Sequence, residues 1–398
     1  MHIIPHSHTD EGWLSTTDEF YTGDDETSIY IGSVRDILDS VVFEMGLDKN
    51  RTFAFAEIKY FKIWWDQQME ETKEPVRQMI REGRFDLVSG GWSAPDEATT
   101  QYDSIIDNFM IGQQFLQKEF DLHPTVSWQI DAFGVSTAYA RMAHDVGFDM
   151  MIYARVDLME KKQMRQKKTR TQVWRPHEEN LGKRKDILGV TLDQQRNSTL
   201  GAYCWPQGFW ADTNYLLDVP LILDETNKTF HFDKIVKALY QEMSEYLDNE
   251  RTNHVFRPFG CDMAFVDAKV NYKIMDELFR WWKKLGLDSD MELRWSTPTR
   301  FAKEMVQINK NLNASDPSAG WPIRRDDSYP YSQGRNVYMN GYYTSRPQLK
   351  RNIRVMVETF HSSLRLTTQQ MLRRDTSDSE KQELRQYHYA ILDILGNL

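Results

Sequence analysis

The densest chemistry in the sequence follows its first apolar run, where His6-Ser7-His8-Thr9-Asp10-Glu11-Gly12-Trp13 succeeds residues 2–5. Alternate residues leaving a strand point the same way, so His6, His8 and Asp10 can converge on one cation. Imidazole nitrogen combined with carboxylate oxygen suits zinc. The plainer alternative is a polar loop capping the next helix. Asp131 closes the run Val126-Ser127-Trp128-Gln129-Ile130, and Asp262 follows Phe256-Arg257-Pro258-Phe259-Gly260-Cys261 in the same way. Either aspartate can be a helix N-cap. A pair of carboxylates across one cleft is also what glycoside hydrolysis needs, one to attack or activate water and one to protonate the leaving oxygen. Trp13 and Trp92 offer flat apolar faces for a sugar ring, or simply core. Arg155 can hold a carboxylate, donate to a sugar hydroxyl or form a surface ion pair.

These residues share a position, just beyond apolar runs of strand length at 2–5, 53–56, 85–89, 126–130, 150–153, 255–259 and 291–295. Glu57, Gly90-Gly91-Trp92 and Asp96-Glu97 end other runs in the same manner. Amphipathic stretches at 58–82, 104–120, 138–146, 232–247 and 271–285 separate the runs with helical spacing. Alternation of this kind predicts an α/β domain of about seven parallel strands in a barrel-like arrangement, with function at the carboxyl ends of the strands. Residues 156–230 break the rhythm with a basic stretch and then an aromatic one, expected to be excursions over the sheet. The expected domains are a catalytic unit at 1–325 and, at 326–398, a linker and the start of a helical bundle, with helical patterns at 346–374 and 379–398.

A net charge of -10, from 59 acidic and 49 basic residues, argues against nucleic acid as a partner. No run approaches the ~18 apolar residues of a membrane span. Cys204 and Cys261 lack the spacing of a structural zinc site and can pair only if the fold brings them together. Sequons begin at Asn50, Asn197, Asn227 and Asn313, which favours the secretory pathway. Residues 1–5 read as a strand rather than a signal peptide, so the expected start is either a processed one or an internal one.

The stretch from His2 to Trp13 resembles the opening zinc motif of the family-38 α-mannosidases, nearer the lysosomal than the Golgi branch. The likeness continues through Gly90-Gly91-Trp92 with Asp96-Glu97, Trp128-Gln129-Ile130-Asp131-Ala132-Phe133-Gly134, Arg155-Val156-Asp157, Val173-Trp174-Arg175 and Gly341-Tyr342-Tyr343-Thr344-Ser345-Arg346-Pro347 with Lys350-Arg351. It implies a zinc-dependent retaining α-mannosidase acting on mannose-containing oligosaccharides, such as an N-glycan or a free oligomannoside, in a lysosome or other endomembrane compartment. By the same resemblance His8 and Asp10 are zinc ligands, Asp131 is both ligand and nucleophile, and Asp262 is the acid/base. Trp13 and Phe133 line the mannose subsite, Arg155 supports the nucleophile and Tyr203 contacts the sugar.

The sequence departs from that pattern at Glu11, Ala132 and Val135, each beside a proposed ligand. It also has no His-Asp-Ala-x-x-Gly-Thr segment, from which the family draws a further histidine ligand. The expectation is a chain that stops before its metal site is complete. Two rivals follow: a catalytically silent fragment that folds or binds mannose, and another metal-dependent hydrolase built on HxHxD.

Overall fold

The computed structural model describes residues 1–23, 32–192, 203–205, 223–227, 231–315, 320–373 and 376–396. Nine strands come first: β1 (His2–Pro5), β2 (Phe53–Phe55), β3 (Phe85–Leu87), β4 (Val126–Gln129), β5 (Met150–Tyr153), β6 (Thr171–Trp174), β7 (Ile187–Thr191), β8 (Phe256–Phe259) and β9 (Arg294–Trp295). Then β10 (Ile323–Arg324) precedes a short hairpin of β11 (Ser332–Gly334) and β12 (Val337–Tyr338). Neighbouring residues of β1 point to opposite faces, yet Ile3 and Ile4 are both wholly buried. A strand covered on both sides reads in this way as an unbroken apolar run.

β1 lies between β8 and β9, parallel to both, and β2 pairs in parallel with β3. A third sheet has five strands in the order β10-β6-β7-β5-β4. Single contacts link neighbouring sheets. His6 bridges to Ala54 beyond β1, and the Ser89 amide and hydroxyl meet Val126 O and Trp128 N at 2.9 and 2.7 Å between β3 and β4. All seven expected runs contain strands, but they form separate sheets and not one seven-stranded barrel.

Two of the additional strands lie within 156–230, which therefore does more than pass over the sheet. β7 inserts beside β5, and β6 pairs antiparallel with β7, so the large sheet is mixed. Their signal is short because charged segments flank it, including the helix Leu158–Lys167 before β6. Of the expected aromatic stretch only residues 203–205 belong to the described part. The expected helix at 58–82 is two helices, Ile58–Gln67 and Glu70–Arg81, separated by extended Gln68 and Met69. Glu70 and Glu71 favour a fresh helix start because carboxylates complement the positive end of the helix dipole.

Close approach of loop and helix brings the third rim segment into place. A Cβ on Gly112, within the helix Tyr102–Phe120, would stand 2.2 Å from Gly90 O, so only glycine lets the helix lie against Gly90-Gly91-Trp92. The helices Pro347–Leu372 and Asp378–Gly396 follow the hairpin. His361 ties the first of them to the body through Asp107 at 2.7 Å. No described helix is long and apolar enough to cross a membrane.

Candidate active site

The carboxyl ends of β1, β4, β5 and β8 open onto one cavity of about 570 Å³. Its lining includes His8, Asp10, Trp13, Asp131, Phe133, Arg155, Tyr203 and Asp262, the eight residues to which the resemblance gives roles, together with Asp96 and Tyr342. His8 and Asp10 arrive on the extension of β1, and a bridge sets His8 beside Asp262 at the end of β8. Gly260 permits that contact: a Cβ there would lie 1.8 Å from His6 O.

His8 Nε2 stands 3.3 Å from Asp10 Oδ1 and 3.5 Å from Asp131 Oδ2. It is buried, and neither approach is a well-formed hydrogen bond. One ligand atom from each of His8, Asp10 and Asp131 lies within 4.8 Å of the others. An orphaned imidazole nitrogen facing two carboxylates is a donor set that fits a divalent cation. Burial opposes a charge on His8, but the Asp10 and Asp131 carboxylates that face it raise its pKa well above the ordinary imidazole value. A metal would take the place of that proton. Buried Glu57 lies 3.9 Å from His8 Nδ1 and accepts from Thr9 Oγ1 at 3.1 Å, which gives the imidazole a carboxylate behind it.

His6 does not belong to this set, although the alternation of the HxHxD motif suggests that it should. It is completely buried beneath the rim, with Nε2 2.9 Å from the carbonyl of Tyr203. Burial lowers its pKa to about 4, and a carbonyl only accepts, so neutral His6 carries its proton on Nε2.

The two aspartates meet at a single hydroxyl. Tyr203 Oη is 2.9 Å from Asp131 Oδ1 and 3.1 Å from Asp262 Oδ1. The two carboxyl groups therefore approach within about 6 Å, close to the ~5–5.5 Å of retaining glycosidases. Their environments separate them. Burial would raise Asp131, but His8 and the Arg155 guanidinium outweigh it and hold the carboxyl at about 2. Burial raises Asp262 to about 6, with further repulsion from Asp131 and Asp10 and opposition from His8. One hydroxyl proton serves only one carboxylate, so a protonated Asp262 can donate to the phenol oxygen while the phenol donates to Asp131.

Arg155 donates through Nε to Asp131 Oδ1 at 2.5 Å, and its Nη2 pairs with the same oxygen. Its guanidinium carbon lies 4.5 Å from the centroid of Phe133 and 5.8 Å from that of Tyr331, so two aromatic rings hold the cation in position. Phe133 in turn meets Tyr342 edge-on, and Tyr342 donates to Asp96 at 3.0 Å. Trp13 stands exposed at the mouth on the turn that Gly12 makes with φ 106.

Other rim residues have different duties. Trp92 lines a neighbouring cavity of about 380 Å³ with Glu11, Lys59 and Asn108, and is absent from the lining around the aspartates. Glu97 is buried and accepts from the Ser136 amide at 2.8 Å, fixing the turn after Asp131. Sequence reasoning did not single out Tyr331 or Tyr342. Tyr342 lies within a quoted motif, whereas Tyr331 sits in a polar segment that carries no pattern.

Cys204 and Cys261 form a disulfide with a Cα–Cα distance of 4.4 Å. It joins the segment carrying Tyr203 to the segment carrying Asp262.

Residues 1–334 match the family described as glycosyl hydrolases family 38 N-terminal domain. An alpha-mannosidase from Canavalia ensiformis is 34% identical over 351 residues, 87% of this chain and 33% of the relative. The lysosomal alpha-mannosidase of Homo sapiens is 32% identical over 354 residues, 88% of this chain and 33% of the relative. The chain thus spans about a third of the length of these curated relatives. The crystal structure of an alpha-mannosidase from Enterococcus faecalis V583 shares the fold, with a TM-score of 0.51 and 16% identity over 82% of this chain and 30% of that one. The chain belongs to the glycosyl hydrolase family 38 N-terminal domain family.

Proposed function

We propose that this chain forms the catalytic face of a zinc-dependent, retaining α-mannosidase that releases terminal α-linked mannose from oligosaccharides. The observation that carries the reading is the Tyr203 hydroxyl shared by Asp131 and Asp262, beside the converging atoms of His8 and Asp10. Asp131, kept ionised by Arg155 and His8, is the nucleophile. Asp262, kept protonated by burial, is the acid. Asp131 bonds to the sugar's anomeric carbon as the glycosidic bond breaks, and the Asp262 proton passes to the leaving oxygen. Ionised Asp262 then takes a proton from water, whose oxygen bonds to the same carbon as the link to Asp131 breaks.

His8, Asp10 and Asp131 would hold the zinc. When bound, it supplies a Lewis-acidic anchor for vicinal sugar hydroxyls, which orients and distorts the ring. Phe133 and Trp13 offer apolar surface to the sugar, and Arg155 limits rotation of the nucleophile. We assign residues 1–325 to the catalytic unit and 326–398 to a linker and the start of a helical region. Tyr342 supports the cavity wall from that second part. The disulfide and the relatives described as lysosomal favour an oxidising, endomembrane or lysosomal setting.

Covalent trapping tests the reading. An activated fluoro-mannoside with slow turnover should leave one mannosyl group on the peptide containing Asp131, located by mass spectrometry of the digested intact protein. Absence of label, or label on another carboxylate, overturns the assignment.

A further inference from the structure

We propose that the Cys204–Cys261 disulfide is a register lock that keeps Tyr203 facing Asp262, so that the cross-link positions the acid/base rather than merely strengthening the fold. This rests on the reading of Asp262 as the acid that serves the leaving oxygen. Trp205 and Gly260 exchange two backbone hydrogen bonds, at 3.0 and 2.9 Å, in an antiparallel bridge. Counting back along one segment and forward along the other, Cys204 opposes Cys261 and Tyr203 opposes Asp262. Opposed side chains in an antiparallel pair share a face, and successive pairs alternate faces. The disulfide therefore lies on one face, while Tyr203 and Asp262 lie together on the other, toward the cavity. A Cα–Cα distance of 4.4 Å is that of the non-hydrogen-bonded pair such a ladder places next to Trp205 and Gly260.

Among the described residues the ladder is too short to determine its own register. One bridge is all the described backbone pairing between these segments, and a slip of one residue would turn Tyr203 to the opposite face. That slip would remove the hydroxyl from both carboxylates. A covalent bond between the directly opposed half-cystines forbids it. The His6 imidazole adds a second restraint, since its Nε2–H donates to the Tyr203 carbonyl at 2.9 Å. Cys204 and Cys261 are almost wholly buried, so the bond is shielded from solution thiols and suited to a permanent structural role.

The test replaces both half-cystines in the intact protein, once as C204S/C261S and once as C204V/C261V, the second pair refilling the space without a covalent link. Hydrogen exchange at the Trp205 and Gly260 amides reports the ladder. Turnover of an oligosaccharide and of an activated aryl mannoside reports the acid. We expect faster exchange at those two amides with β1 unchanged. We also expect kcat to fall about tenfold or more on the oligosaccharide and less than about threefold on the aryl substrate, with KM little altered, because only the poor leaving group needs the positioned acid. Unchanged exchange overturns the lock, as do equal losses on both substrates or full activity in the valine pair. Failure of both variants to fold overturns it too, by making the bond a stability element. If the unaltered protein turns over neither substrate, the mannosidase reading falls, and exchange at the two amides alone decides the register claim.

Discussion

The two ends of β1 both carry buried histidine near carboxylates, yet they are chemically opposite. At the amino end, His2 Nδ1 meets Ser296 Oγ at 2.8 Å and His2 Nε2 meets His254 Nδ1 at 3.1 Å, while His254 Nε2 faces Glu304 at 3.4 Å. Both ring nitrogens of His2 and Nδ1 of His254 are hydrogen-bonded there. At the carboxyl end, His8 Nε2 makes no well-formed hydrogen bond and stands 3.3 and 3.5 Å from Asp10 and Asp131. In both groups the possible ligand atoms lie within 4.8 Å of one another. Satisfaction separates them. A hydrogen-bonded imidazole gains little from a cation, whereas a buried nitrogen without a good hydrogen bond gains much, because an unmet buried polar atom is costly. The ends also differ in charge: burial, with His254 and Arg294 nearby, lowers the His2 pKa to about 3. Acidic groups gather around His8.

Breaking the carboxyl end should have the largest effect. Asp131→Asn removes the attacking charge and a metal donor together, and kcat/KM on a mannoside should fall by about 10³-fold or more. Retention of more than about a tenth of activity would refute the nucleophile assignment. Asp262→Asn should cost about 10²-fold on a substrate with a poor leaving group and much less on an activated aryl mannoside. In the unaltered protein Asp262 must be protonated to act, so activity should decline as pH rises through about 6. That basic limb should vanish in Asp262→Asn, and its persistence would assign the titration to another group.

A sharper contrast pairs the two ends in one experiment. His8→Ala should weaken zinc binding, measured by calorimetry, by about 10²-fold, while His254→Gln should leave it unchanged within about threefold. Equal losses would place the metal at the wrong end of the strand. The effect that is smallest per pH unit concerns Glu97, whose pKa burial raises to about 8. A folded-state value above the unfolded one means stability is greatest at low pH and lost as pH rises toward 8. The loss should be on the order of 1 kcal/mol per pH unit between about 5 and 8. Glu97→Gln should flatten that slope in chemical denaturation, and an unaltered slope would remove Glu97 as its source.

Much of this molecule was legible before folding because one rule applies repeatedly: in α/β folds, polar residues just beyond apolar runs collect on one rim. His8, Asp10, Asp131, Arg155 and Asp262 all follow such runs, and their chain positions alone placed them together. Phe133 and Tyr203 were assigned only through resemblance. Trp92 obeys the rule yet faces the neighbouring cavity, since a strand-end position does not state which way the following loop turns. The strands β6 and β7 escaped notice because four or five residues between charged segments leave too short an alternation to detect.

The sequence by itself determined the alternation of strands and helices, the acidic character of the chain and the residue types available at the rim. Those properties are local, set by side-chain period and by what each residue type can donate or accept. Only the tertiary structure decided which of His6 and His8 faces the carboxylates of Asp10 and Asp131, that Cys204 meets Cys261, and that one tyrosine hydroxyl lies between two aspartates of unlike acidity. Each of those outcomes depends on atoms far apart in the chain. Burial and neighbouring charge act through space, so acidity and hydrogen-bond satisfaction have no value until the strands are packed.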